Sequence, residues 1–189
     1  MYGRFSELYS KTEIEKYNLI RVDSTIVADT CAKLKEGIDQ KSGKKLVKFS
    51  FSIDGILPSG VEVFTGQKYS SEEAALPEAI QKQVKKEEHH ENIYVIDRGL
   101  QSTRVKKDFD EKSVKFIIRS KENRKFEEIE SFLDGKKSQK WDDWEVMKDS
   151  KVKLYTGKPV LNKRGNIHHR EEKVETDLRL VVIRNEKTK

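Results

Sequence analysis

The chain of 189 residues carries 39 Lys and Arg against 33 Asp and Glu, a net charge of +6, with 34% hydrophobic and 38% charged residues. That length suits one folded domain and is short for two, and the single cysteine, Cys31, excludes a disulfide framework and a cysteine-rich zinc site. The mild basic excess is compatible with an anionic partner such as nucleic acid but does not require one.

The opening residues have neither an apolar core segment nor a small-residue cleavage site, and no stretch approaches the roughly 20 apolar residues a membrane helix needs. A soluble, cytoplasmic protein is expected, and the lone cysteine fits a reducing compartment. Tyr17 to Thr25 reads as a short strand ending near Asp23, followed by the basic loop "CAKLKEGIDQKSGKK". Leu46 to Asp54 alternates, with Val47, Phe49, Phe51 and Ile53 on one face and Lys48, Ser50 and Ser52 on the other. That is the period of a half-buried strand, whose apolar face is expected inside. Asp54-Gly55 is a hairpin turn signal, and Val61 to Gly66 is the returning strand.

Ser70 or Ser71 followed by Glu72 and Glu73 announces a helix, with Pro77 near its first turn and Leu76, Ile80 and Val84 on one face. "NIYVID" is the next strand, "QSTRVKKDFDEK" a short helix or turn, and Ser113 to Lys121 another strand. Helix–strand alternation there predicts parallel pairing, so the whole reads as a mixed α/β sheet: an antiparallel hairpin followed by β-α-β units. Beyond Lys121, Phe126, Ile129, Phe132 and Leu133 stand at helical spacing, with Gly135 as a stop. Lys151 to Tyr155 and Leu178 to Arg184 read as strands joined by basic loops.

Asp23 and Asp97 share a setting, each at the end of an apolar strand, "LIRVD" and "IYVID". If those strands are neighbours, the two carboxylates project together and form a hard-oxygen pair suited to Mg2+. Capping of the following turns accounts for them equally, and both readings stand open.

Four ordered segments extend the comparison. "IRVDSTIV", "KSGKKLVKFSFSIDGILPSGVEVFTGQKYSSEEA", "NIYVIDRGLQSTRVKKDFDEKSVKFIIRSKENRKF" and "DSKVKLYTGKPVLNKRGNIHHREE" together resemble the catalytic domain of DDE transposases from bacterial insertion sequences. The resemblance runs from about Tyr17 to the end. It implies an RNase H-like core over 17–123, preceded by a lead-in over 1–16 and followed over 124–189 by the start of a helix- and β-rich insertion. It further implies Mg2+-dependent DNA cleavage and strand transfer, with Mn2+ as a substitute, in a nucleoid-associated bacterial enzyme that pairs DNA ends as a homodimer when complete. No membrane partner is implied.

By this resemblance Asp23 matches the first acid and Asp97 the second. The third, a glutamate within a Tyr/Arg/Lys helix motif, has no match. Glu171, Glu172, Glu175 and Glu186 lack the motif, so a truncated, impaired enzyme is expected, with a non-catalytic DNA-binding or interaction relic as the alternative. Candidate DNA contacts are Arg98 beside the second acid, Lys33, Lys44, Lys45 and Lys48 before the hairpin, and Lys163 and Arg164 in "NKRGNIHH". A solvated loop explains the lysines as well. His89 and His90 fit an exposed loop, and Trp141 and Trp144 fit packing under the insertion better than base stacking.

Overall fold

The computed structural model describes residues 18–28, 36–39, 45–86, 92–97, 99–121, 124, 126–133, 139–141, 143–156 and 174–185. They fall into two units. One comprises the chain to Gln101 with Lys112–Arg119; the other comprises Ser102–Glu111 and the chain from Ser120.

The first unit is built on a six-stranded mixed sheet. Its strands are β1 (Asn18–Ala28), β2 (Ile38–Asp39), β3 (Lys45–Asp54), β4 (Leu57–Phe64), β5 (Asn92–Ile96) and β6 (Lys115–Ile118), in the order β2-β3-β1-β5-β6, with β4 also on β3. β1 and β3 are antiparallel, whereas β1, β5 and β6 are mutually parallel. The β3–β4 hairpin turns at Gly55, whose φ of +60° is open to glycine at no steric cost. Helix α1 (Glu72–Lys86) joins β4 to β5 through a short 3-10 turn over Gln67–Ser70. The Ser71 hydroxyl accepts the Glu73 N–H at 3.1 Å and caps α1, as "SSEE" predicts. Pro77 lies six residues in rather than in the first turn.

The polar face of β3 is the more deeply buried one, contrary to expectation, although Val47 on the apolar face is also buried. Lys48, Ser50 and Ser52 are 1%, 2% and 6% exposed, whereas Val61 and Val63 on the other face are 48% and 52% exposed. α1 explains the inversion, because its Ala75 and Ala79 pack on Phe64 and Tyr69, on the polar side of β3 and β4. Its Leu76 and Ile80 are buried with Ile20, Val22, Tyr94 and Ile96. Small serines admit a helix lined with alanine, and the polar groups are paired: Ser24 Oγ lies 2.7 Å from Ser50 Oγ. Period two fixes which residues share a face, but not which face a helix will cover.

Lys48 is the costly member of this interior. Its Nζ donates to Ser70 O at 3.0 Å, and burial lowers its pKa from the ordinary 10.5 against the attraction of Glu72. A lysine with a folded pKa below its unfolded one penalises folding fully at neutral pH. The penalty fades as pH climbs from the depressed value toward 10.5. The stability of wild type relative to Lys48→Met is therefore expected to rise with pH over that alkaline window. Urea unfolding at several pH values checks this, and a pH-independent difference would contradict it.

The second unit holds an antiparallel sheet of β7 (Glu127–Ser131), β8 (Gln139–Trp141), β9 (Trp144–Tyr155) and β10 (Glu175–Asn185), in the order β10-β9-β7, with β8 also on β9. It also contains α2 (Thr103–Glu111), whose Thr103 Oγ1 donates to Tyr155 O at 3.2 Å. β7 corrects the helix expected from Phe126, Ile129, Phe132 and Leu133. Glu128 receives Lys148 and the Ser150 hydroxyl, and Glu127 receives the Tyr155 hydroxyl, all across strands. Ile129 and Phe132 stay 47% exposed, so the apparent apolar stripe builds no core. The interior is supplied by Val152 and Leu154 on β9.

The Tyr155–Glu127 bond pushes the phenol pKa up to about 12, because the adjacent carboxylate favours the protonated hydroxyl. Glu127→Gln is expected to return Tyr155 toward 10, read by ultraviolet titration of tyrosinate. No change would place β7 in another register.

Candidate functional site

Asp23 and Asp97 lie just past the end of the ladder where β1 and β5 run side by side. The parallel ladder ends with Val22 opposite Ile96. Continuing that register by one residue sets Asp23 beside Asp97, on strands about 4.8 Å apart. Val22 and Ile96 are buried beneath α1, so the next residue on each strand belongs to the opposite face, and both aspartates are exposed. β1 does not end at Asp23, as its sequence suggests; it continues to Ala28 because β3 pairs with it through Leu46. Asp23 thus terminates the β5 pairing while lying mid-strand against Phe51 of β3. Its Oδ1 accepts the Ser24 N–H at 2.8 Å, and the residue is exposed.

This donor set suits one hydrated Mg2+. Both side chains offer hard carboxylate oxygens of the kind Mg2+ takes, and both are exposed to water. Among the described residues no group of three or more acidic, histidine or cysteine side chains forms a metal cluster. The pair therefore stands without a third protein ligand there.

The proposed DNA contacts separate. Arg98, Lys33, Lys44, Lys163 and Arg164 lie outside the described residues, as do Cys31 and the four histidines. Lys45 opens β3 and is partly buried. Lys48 is a correction: buried, with its ammonium on Ser70 O, it is withdrawn from any phosphate on the surface. Trp144 is 42% exposed rather than packed away. Several cations of β9 and β10 are matched by acids, with Arg179 bidentate on Asp149 at 2.9 and 2.6 Å, Lys151 on Asp177 at 3.3 Å and Arg184 on Glu145 at 2.5 Å. Exposed pairs of this kind add little stability but cancel the field a polyanion would seek.

Sequence reasoning read Glu72 and Glu73 only as a helix start. In the structure Glu73 Oε1 accepts the Gln101 N–H at 2.6 Å, and the Glu72 carboxylate lies against Gly99. The first turn of α1 therefore holds the segment that follows Asp97. The signal was the doubled acid directly after the cap, though nothing local could name its distant partner.

No family model matches the chain, and no curated protein does. Among solved structures the chain is similar to the piggyBac transposase in its synaptic complex with hairpin DNA, with a TM-score of 0.35 and 10% identity. The match covers 78% of this chain and 35% of that one. Among the described residues, no helix is long and apolar enough to cross a membrane.

Proposed function

We propose that this chain is a transposase-type catalytic domain with an RNase H-like core, using Asp23 and Asp97 to hold Mg2+ for DNA cleavage and strand transfer. The observation that carries this reading is the parallel β1–β5 register, which makes neighbours of two aspartates 74 positions apart in sequence. The ordered resemblance of the surrounding motifs supports it.

Bound at this pair, Mg2+ would lower the pKa of an attacking water or hydroxyl and neutralise charge at the scissile phosphate. The chain's own part is positional. Asp23 is held by the Ser24 N–H, and both aspartates are exposed on the sheet face away from α1. Arg98, next to Asp97, would clamp a phosphate through its guanidinium, and Lys33, Lys44, Lys45, Lys163 and Arg164 would add salt-sensitive backbone contacts. With two carboxylates the ion is held loosely, and turnover is slow.

The absence of a third ligand among the described residues favours a second reading, a DNA-binding module without catalysis. Supercoiled plasmid with Mg2+ or Mn2+ separates them. Slow nicking that disappears in Asp23→Asn and Asp97→Asn supports the enzyme. Salt-sensitive binding without nicking supports the module, and neither behaviour removes both.

A further inference from the structure

The backbone after Asp97 is tied at several points. Leu100 is fully buried, and the Gln101 N–H donates to Glu73 Oε1 at 2.6 Å. Gln101 Nε2 donates to Arg119 O at 3.1 Å, just past β6. Glu72 approaches Gly99 so closely that a Cβ there would lie 1.7 Å from its Oε2 and 2.8 Å from its Cδ. Glycine at 99 makes room for that carboxylate.

The holder is itself held. Lys48, rooted in the middle of the sheet on β3, donates to Ser70 O at 3.0 Å and attracts Glu72. Ser71 caps the first turn through the Glu73 N–H. A continuous path therefore runs from β3 through Lys48 and the start of α1 to Gly99 and Gln101, two and four residues beyond Asp97. A carboxylate accepting a backbone N–H makes a charge-assisted bond, stronger than a neutral one.

We infer that Glu73, helped by Glu72 against Gly99, is a positioning residue that fixes the backbone of Asp97 relative to Asp23 and so sets the geometry of the metal pair. The inference rests on the proposed metal-binding role of those aspartates. Outer contacts of this kind orient metal ligands, and their loss weakens metal binding by about 10–100-fold.

Mn2+ binding to the full chain, followed by electron paramagnetic resonance, tests it alongside thermal melting and hydrogen exchange at the Gln101 amide. Glu73→Ala is expected to weaken Mn2+ binding about tenfold and expose the Gln101 amide. Glu73→Gln, whose amide oxygen can still accept that N–H, is expected to recover most of both. A lowered melting temperature with unchanged Mn2+ affinity in Glu73→Ala would reduce Glu73 to a structural contact and overturn the inference. If Asp97→Asn removes Mn2+ binding while Glu73→Ala leaves it intact, the metal reading survives and the positioning role falls. If wild type shows no Asp97-dependent Mn2+ binding, both fall, whatever the Gln101 amide does.

Discussion

Asp97→Asn is expected to weaken Mn2+ or Mg2+ binding by more than about a hundredfold while leaving the fold intact. The expected loss exceeds that of an outer-contact variant because the proposed site would lose one of the two carboxylates it has among the described residues. The fold should be indifferent because Asp97 is exposed at a strand end, where a substitution of the same shape changes stability by no more than about 0.5 kcal/mol. Asp23→Asn is expected to match it. Asp54→Asn supplies the control, since Asp54 is an equally exposed carboxylate of the same sheet but pairs with Ile20, away from the Asp23 end of the β1–β5 ladder. Calorimetric titration of the three variants gives the comparison. Equal affinity in wild type and Asp97→Asn would show that the carboxylate pair binds no ion. Equal loss in Asp54→Asn would show a diffuse effect of surface charge instead.

The same pair shows how far local sequence carries. Each aspartate was visible as a carboxylate ending an apolar run, because alternation and apolar strand residues are local signals. That the two runs are adjacent was not legible, because β2, β3, β4 and α1 lie between them in sequence and only the assembled sheet pairs β1 with β5. What local reading missed came from elements distant in sequence. β1 runs on to Ala28 because β3 offers partners as far as Leu46. β7 is a strand whose Glu127 and Glu128 accept hydrogen bonds from Tyr155, Lys148 and Ser150 of β9, although Phe126, Ile129, Phe132 and Leu133 mimic a helical stripe. Lys48 looked like a surface cation because its neighbours Ser50 and Ser52 are polar. Only the position of α1 turns that face inward.

That inversion yields a large expected stability difference between two aliphatic truncations. Ile80 is fully buried on the inner side of α1, and Ile80→Ala is expected to cost about 2–5 kcal/mol through lost transfer energy and an unfilled cavity. Val63 is 52% exposed on the face opposite α1, and Val63→Ala is expected to cost less than about 1 kcal/mol. An alternation read from β3 and β4 alone would bury Val63 as well, since Val61 and Val63 continue the apolar face of Phe49 and Phe51. Urea unfolding followed by circular dichroism gives the ranking, with a shifted midpoint at unchanged slope marking a change in stability alone. A larger loss in Val63→Ala would put the covering layer on the Phe49–Phe51 side. Asp23 shares that side, opposite Phe51 of β3, so the same result would also bury the surface proposed for DNA access.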